Sequence, residues 1–157
     1  FEIKKEKINV NELLREIIQS VEIKVTQLGG KITTHLRSQQ SDILADKLHL
    51  TNIIHNLLDN AIKYCKDTPD ITIETANING HLEIKITDKG IGIEKEFQPK
   101  IFQKFYRVPT GNVHNVKGFG LGLFYVKNIC QAHGWKITAK SEENKGTQIT
   151  LTTNALQ

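Results

Sequence analysis

The stretch LTNIIHNLLDNAIKY, residues 50–64, decides the fold of this chain. Asn56 and Asn60 lie one helical turn apart at the edge of its apolar face, and Lys63 follows on the same flank. Asparagine costs a helix about 0.5 kcal/mol relative to alanine because its side chain competes for backbone hydrogen bonds. Two of them here indicate a binding role, or amides bonded to a neighbouring loop. The apolar face itself follows the i, i+3, i+4, i+7 spacing of an amphipathic helix and consists of Leu50, Ile53, Ile54, Leu57, Leu58, Ala61 and Ile62.

The composition describes one globular domain. The 157 residues are 38% hydrophobic and 24% charged, a balance that supports a single buried core. The formal charge of +4 fits either a lysine-rich surface or an anionic ligand, but the lysines are scattered, which disfavours nucleic acid. Cys65 and Cys130 lack metal-site spacing and are expected to be free thiols in a reducing compartment.

The chain shows no apolar run of the roughly 18 residues that a membrane span needs, and no signal peptide. It has no methionine and begins at Phe1, so we expect a piece of a longer protein.

The first half of the chain predicts two helices and short strands. Asn9 and Glu12 fit a capping box that begins a helix, and Gly29-Gly30 ends it. Asp46 is a candidate N-cap for the asparagine-bearing helix, which should run to about Cys65. Residues 1–10 form either an edge strand or the end of a linker. Short strands are expected at residues 31–37 and 43–45.

The second half predicts two hairpins around an irregular segment and a helix. Residues 71–76 and 81–88 alternate apolar and polar, and Asn79-Gly80 supplies the turn between them. No clear period survives over residues 94–117. A helix should follow and end at His133, before a last hairpin over residues 135–140 and 147–152. The order of elements favours an α+β fold, with helices on one face of a mixed or mostly antiparallel sheet.

Two glycine motifs could carry chemistry. Gly118, Gly120 and Gly122 precede a helix, where close backbone approach and helix N-terminal N–H groups can bind an anion. A tight turn is the alternative. Asp88 ends a strand before Gly90 and could accept a hydrogen bond from an amine in a pocket, or it could close an Asx-turn.

The asparagine pair adds a third candidate site. Amide oxygens one turn apart can hold a hard divalent cation together with waters and phosphate oxygens. Neutral ligands suit this role when the phosphates bring the negative charge.

Taken in order, these motifs resemble the catalytic ATP-binding domain of sensor histidine kinases. The resemblance covers nearly the whole chain from about Lys7, and the motifs are similar to that family's N, G1, F, G2 and G3 boxes. It implies the Bergerat fold of the gyrase, Hsp90 and MutL ATPases: a two-layer α/β sandwich with a mixed, mostly antiparallel sheet of about five strands on three helices, and a mobile ATP lid. The matching stretches are NLLDNAIKY from Asn56, DKGIG from Asp88, FQKFYR from Phe102, GFGLG from Gly118, and Gly146-Thr147.

The resemblance implies roles for the adenine end of an ATP site. Asp88 would accept a hydrogen bond from the adenine N6 amine, and Tyr64 would pack near the adenine and ribose. Thr147 would border the same pocket, whose walls would include Gly90, Gly92 and Ile93.

At the phosphate end, Asn56 and Asn60 would hold Mg²⁺ against the triphosphate, and Lys63 would contact phosphate. The lid would span about residues 97–117, with Arg107 and Lys117 as candidate phosphate contacts and Phe105 in the F box. Catalytic roles would fall on Asn56, Lys63 and Arg107. The phosphates would lie on the amides of Gly118, Phe119, Gly120, Leu121, Gly122 and Leu123.

Position 56 bears on the reaction. The resemblance to gyrase-like ATPases implies a glutamate there as general base, whereas Asn56 cannot take a proton. His55 projects about 100° away around the helix. Transfer of phosphate to an external nucleophile is therefore favoured over hydrolysis.

The acceptor is expected on another domain. The chain has six histidines, and none is followed by the acidic residue and later proline of the family's phosphoacceptor box: His35, His49, His55, His81, His114 and His133. We therefore expect residues 1–7 to be the remnant of a linker from a dimerisation domain, and residues 8–157 to be the catalytic ATP-binding domain.

The resemblance further implies a response-regulator receiver domain as partner and no nucleic acid. The fragment would be a monomer of the cytoplasm, and the parent a homodimer anchored in the bacterial inner membrane. Two alternatives stay open: a Bergerat-fold serine kinase of the anti-sigma type, and a nucleotide-sensing pseudokinase.

Overall fold

Three helices pack against a mixed five-stranded sheet. The computed structural model describes residues 2–104, 106, 108 and 122–156. The elements of this layer are α1 (Val10–Gln27), β2 (Lys31–Leu36), α2 (Lys47–Lys63), β4 (Asp70–Ile78), β5 (His81–Asp88), α3 (Gly122–His133), β6 (Lys136–Glu142) and β7 (Gly146–Asn154). The sheet order is β2-β4-β5-β7-β6, and among these strands only β2 and β4 pair in parallel. The predicted α+β sandwich is confirmed.

A separate two-stranded sheet lies beside this layer. β1 (Glu6–Asn9) pairs antiparallel with β3 (Asp42–Ala45), with Ile8 opposite Ile43. Of the two readings of the first residues, the structure therefore shows a strand over Glu6–Asn9. This pairing brings two segments together that are more than thirty residues apart in sequence.

Both long helices begin at the caps that the sequence predicts. The Asn9 side chain accepts a hydrogen bond from the Glu12 N–H at 3.1 Å, and Asp46 accepts from the His49 N–H at 3.1 Å. Such a cap stabilises a helix by about 1 kcal/mol. The α2 helix ends at Lys63 with Tyr64 as its C-cap, close to the expected boundary.

The core lies between the helices and the sheet. All seven apolar residues of the α2 face are buried, as are Ile71 and Ile73 of β4 and Ile84 of β5. Each fully buried side chain of this size contributes about 1.5–3 kcal/mol. The alternation along β4 and β5 confirms the predicted hairpin, whose turn places Asn79 at φ 51° and Gly80 at φ 80°.

One polar cluster is buried at the edge of the core. The Thr75 hydroxyl of β4 donates to Asn11 Oδ1 at 2.8 Å, and Asn11 Nδ2 donates to the Ser38 carbonyl at 3.1 Å. Ser38 also hydrogen-bonds Ser41, at 2.7 Å between the two hydroxyls. Because every member has a partner, the cluster joins α1 to β4 without leaving a buried polar group unsatisfied.

Candidate functional site

The edge of α2 presents the three side chains that the sequence singled out. Asn56 and Asn60 are half-buried on one flank of the helix, and Lys63 is exposed one turn further on. Tyr64, half-buried, caps the C-terminal end of the helix. At about 1.5 Å rise per residue, roughly 12 Å of helix axis separates Asn56 from Tyr64, so α2 spans two ends of one site.

At the first end, Asn56 meets the beginning of α3. Its Nδ2 donates to the Asn52 carbonyl at 2.9 Å, which turns Oδ1 away from the helix backbone. Oδ1 lies against Gly122, where an added Cβ would be only 3.0 Å away. The last glycine of the Gly118-x-Gly120-x-Gly122 motif therefore lies beside the first asparagine, and an amide oxygen faces a helix N-terminus.

A second set of contacts fixes α3 against α2 nearby. The Tyr125 hydroxyl lies 2.5 Å from His49 Nδ1 and accepts from Asn52 Nδ2 at 3.5 Å. Asn52 thus contacts both Tyr125 and Asn56. Sequence reasoning missed Tyr125 and His49, because only a pattern linking positions 49 and 125 could have indicated their contact.

At the other end, Asp88 is a half-buried carboxylate at the last position of the central strand β5. Its Oδ1 accepts from the Gly90 N–H at 2.8 Å. Burial raises the pKa of Asp88, while hydrogen bonds from the backbone of Gly90 and Thr147 act to lower that pKa. An ionised carboxylate has about four acceptor positions, so Asp88 retains capacity to accept from a ligand amine.

Glycines allow three backbone segments to approach each other around Asp88. A Cβ at Gly90 would overlap the Tyr64 carbonyl oxygen, and a Cβ at Gly146, whose φ is 124°, would overlap the Asp88 carbonyl oxygen. Gly92 lies in the same way against the backbone of Glu142. The end of α2, the loop after β5 and the β6–β7 hairpin therefore form one wall.

Backbone hydrogen bonds hold this wall together. The Ile91 N–H donates to the Tyr64 carbonyl at 2.9 Å, and the Ile91 carbonyl accepts from the Asn144 N–H at 2.7 Å. Lys66 donates from Nζ to the Asn144 carbonyl. The structure thus brings six of the predicted site residues together at this end: Tyr64, Asp88, Gly90, Gly92, Ile93 and Thr147.

Seven predicted site residues lie outside the described residues: Phe105, Arg107, Lys117, Gly118, Phe119, Gly120 and Leu121. The residues just before position 105 contact α3 through a cation–π pair. Ile101 is buried, and Lys127 Nζ lies 5.8 Å from the centre of the Phe102 ring. After them, Leu123 packs half-buried against the core.

The amide oxygens at the edge of α2 suit a metal ion whose other coordination positions are filled by a bound ligand. Within the described part of the chain, no three His, Cys, Asp or Glu side chains lie close enough together to bind a metal ion. The Asn56 amide oxygen, turned away from its own helix, is a neutral hard donor. Such donors suit Mg²⁺ when phosphate oxygens complete the coordination. Asn56 and Asn60 therefore fit the metal that the resemblance implies.

Comparison with protein families decides which family this architecture represents. Residues 45–157 match the family described as "Histidine kinase-, DNA gyrase B-, and HSP90-like ATPase". The chain belongs to this family. The matched range contains both ends of the site, from the Asp46 cap of α2 through β7.

Relatives in this family are sensor kinases. The chain is 48% identical over 151 residues to the sensor protein RprX of Bacteroides fragilis, covering 95% of this chain and 29% of that protein. It is 37% identical over 146 residues to the histidine-protein kinase ArlS of Staphylococcus haemolyticus, covering 93% of this chain and 32% of that protein. The chain therefore spans about a third of the length of these relatives.

Solved structures show the same fold. The catalytic domain of histidine kinase ThkA, in a nucleotide-free form, matches with a TM-score of 0.84 and 25% identity, over 98% of this chain and 97% of that one. Full-length ShkA in complex with AMPPNP matches with a TM-score of 0.86 and 24% identity, over 100% of this chain and 32% of that one. The expected Bergerat-type catalytic fold is confirmed.

Among the described residues, none of the helices combines the length and the apolar character needed to cross a bilayer.

Proposed function

We propose that this chain is the catalytic domain of a sensor histidine kinase, which binds ATP and transfers its γ-phosphoryl group to a histidine on a separate dimerisation domain. One observation carries the proposal: Asn56 Oδ1 lies against Gly122 at the start of α3, in a chain of the histidine kinase-like ATPase family. An amide oxygen and a helix N-terminus then face one space, which suits a metal-bound polyphosphate.

The adenine would bind at the other end of α2. Asp88 would accept a hydrogen bond from the N6 amine, since its Oδ1 position is fixed by the Gly90 N–H at 2.8 Å. Thr147 lies opposite Asp88 in the β5–β7 pairing and would border the base. Tyr64 would pack near the adenine and ribose. Gly90, Gly92 and Ile93 would form the backbone wall of this pocket.

The triphosphate would extend along α2 towards α3. Asn56 and Asn60 would hold Mg²⁺, which offsets phosphate charge when bound, and the exposed Lys63 could reach a phosphate oxygen. In the same proposal, Arg107 and Lys117 would contact phosphate and Phe105 would belong to the site. The phosphates would rest on the backbone amides of Gly118, Phe119, Gly120, Leu121, Gly122 and Leu123.

The side chains favour transfer over hydrolysis. An amide cannot remove a proton from water, so Asn56 supplies no general base. His55 is half-buried and adjacent, but its side chain leaves the helix about 100° away from that of Asn56. Phosphoryl transfer depends mainly on positioning and charge stabilisation, so a site of this kind can hold ATP until an acceptor arrives.

The acceptor histidine would lie on the dimerisation domain of the longer protein that we infer. Residues 1–7 would be the end of a linker from the dimerisation domain, and residues 8–157 the catalytic domain. A response-regulator receiver domain would take the phosphate from the histidine. The isolated chain would be a cytoplasmic monomer, and the parent a homodimer in the bacterial inner membrane.

Mixing the purified chain with the dimerisation domain of a close relative and radiolabelled Mg-ATP tests this function. We expect acid-labile, alkali-stable phosphohistidine on the dimerisation domain, and slow ATP turnover by the chain alone. Acid-stable phosphoserine on a partner would identify a serine kinase instead. Absence of Mg-dependent ATP binding would contradict the proposal and indicate an interaction module. The sensor kinase relatives favour the histidine kinase over both alternatives.

A further inference from the structure

Ile93 is held at both ends of its backbone by two side chains outside the predicted site. Its N–H donates to Ser141 Oγ at 2.8 Å, and its carbonyl accepts from Gln98 Nε2 at 2.8 Å. Gln98 Nε2 also donates to the Ser141 carbonyl at 2.9 Å. The loop from Ile93 to Gln98 and the distant strand residue Ser141 are therefore joined in one closed ring of hydrogen bonds, which we call the Gln98–Ser141 clamp.

Ser141 extends the clamp to Thr147. Its Oγ lies 2.8 Å from Thr147 Oγ1 and 3.0 Å from the Gly146 carbonyl. A serine hydroxyl has one proton to donate, and here it already accepts from Ile93. If the proton goes to Gly146, the Thr147 hydroxyl must donate to Ser141; if it goes to Thr147, the Thr147 proton is left for a ligand. Ser141 thus controls which hydrogen bond Thr147 can offer.

Gln98 connects the clamp to the segment that leads towards residues 105–121. It begins the short 3-10 helix Gln98–Lys100, which Ile101 follows at 5% exposure. Both donor hydrogens of its amide are used on the two carbonyls. A shift of Ile93 would therefore be transmitted to the beginning of this segment.

We propose that Gln98 and Ser141 are positioning residues for the adenine end of the ATP site, acting through Ile93 and Thr147. This inference rests on the proposed function, because it assumes that ATP is the ligand. Neither side chain needs to touch the nucleotide. Their effect on ATP affinity should therefore depend on Thr147, whereas a purely structural effect would not.

A double-mutant cycle on this chain measures that dependence. The variants are Ser141→Ala, Thr147→Val and the two combined, with Mg-ATP binding measured by calorimetry. We expect each single substitution to weaken binding about tenfold, the effect of losing one well-formed hydrogen bond. The combined variant should be about as weak as either single one, because residues acting as one unit are not additive.

Matched controls separate the clamp from general damage. Thr138→Ala removes an exposed hydroxyl from the same strand, β6, and should bind ATP as the wild type does. Ser141→Thr keeps the hydroxyl and should retain most of the wild-type affinity for ATP. Gln98→Met removes both donors without a charge change and should weaken ATP binding about threefold or more. Gln131→Met, at an exposed position of α3, should not.

The outcomes divide clearly. The inference would be overturned if the losses of ATP affinity in Ser141→Ala and Thr147→Val multiply in the combined variant. It would also be overturned if Ser141→Ala and Gln98→Met both bind ATP with wild-type affinity. Either result would leave the proposed function intact. A wild-type chain that binds no Mg-ATP would overturn both. Circular dichroism checks the folding of each variant. If Ser141→Ala does not fold, the ATP affinity of Gln98→Met is compared with that of Gln131→Met, and equal affinities would overturn the inference.

Discussion

At the scale of single residues, the proposed role of Asp88 in binding adenine comes with a cost to stability. Because burial raises its pKa above the ordinary 3.8, the folded chain holds this proton more tightly than the unfolded chain. The free energy of unfolding contributed by Asp88 therefore falls as pH rises from 3.8 through the raised folded value. Above that range the ionised form is fully present, and this is the form that would accept from adenine.

Asp88→Asn should consequently impair binding without impairing folding. The amide can still accept from the Gly90 N–H, but it presents a donor group to the adenine amine. We expect ATP affinity to fall about tenfold to a hundredfold, as for other hydrogen bonds to charged groups, and preference over GTP to decrease. Unfolding by urea at pH 7 should show unchanged or increased stability.

Asp59→Asn is the matched control, since Asp59 is exposed on α2 and loses the same charge. It should bind ATP as the wild type does. The ATP affinity of the wild type should itself weaken as the pH falls. Because the pKa of Asp88 is raised, this loss should begin at a higher pH than for an ordinary aspartate. Unchanged base preference in Asp88→Asn would show that the adenine lies elsewhere.

Gly122→Ala isolates the contact at the phosphate end. A Cβ would lie 3.0 Å from Asn56 Oδ1, so this oxygen must shift by a few tenths of an ångström. Gly122 is the first residue of α3 and alanine is the better helix former, so the fold should not suffer. We expect ATP affinity in the presence of Mg²⁺ to drop about tenfold or more, with much less change when EDTA is present. An equal loss under both conditions would contradict a metal role for Asn56.

At the scale of elements, local chemistry was enough to predict most helices and hairpins. Asn9 and Asp46 cap their helices, and Asn79-Gly80 turns the first hairpin, because each interaction involves residues close in sequence. The pairing of β1 with β3 could not be predicted in this way. Both strands are four residues long, and nothing in either sequence specifies its partner.

Gly146 begins β7 where this strand passes Asp88, and its substitution tests that approach. Gly146 and Gly134 both have positive φ, 124° and 72°, but only at Gly146 would a Cβ overlap another backbone atom. Gly134→Ala should cost about 1 kcal/mol, the strain of a left-handed residue. Gly146→Ala should cost clearly more and also weaken ATP binding. Equal losses in thermal unfolding would show that the beginning of β7 can move away from Asp88 at little cost.

At the scale of the whole molecule, the ordered series of motifs predicted the architecture, and the fold comparison confirms it. What the sequence could not predict were contacts made by single polar residues across long separations. Ser141 is a single serine in a strand of alternating apolar and polar residues. Gln98 lies in the stretch of residues 94–117, where apolar residues show no regular spacing. Ser141 bonds to Ile93 and to Gln98 across more than forty residues, so no local pattern indicated these contacts.

His133 joins the last turn of α3 to the beginning of α2. Its Nε2 accepts from the Asp46 N–H at 3.0 Å, its Nδ1 donates to the Ile129 carbonyl at 2.9 Å, and its ring stacks on Trp135 at 4.0 Å. Both ring nitrogens are used only if the imidazole is neutral. Burial lowers the pKa of His133, which favours that neutral form.

The sign of the pH effect follows directly. The unfolded chain binds the His133 proton more readily than the folded chain, so stability is complete above the ordinary pKa of 6.5 and declines as pH falls below it. His133→Gln keeps an acceptor near the Asp46 N–H but cannot titrate. Urea unfolding at pH 8 and pH 5.5 should show a smaller loss on acidification in this variant than in the wild type. His81→Gln, at an exposed position with His133 intact, should keep the wild-type loss, and an equal reduction in both variants would refute the assignment to His133.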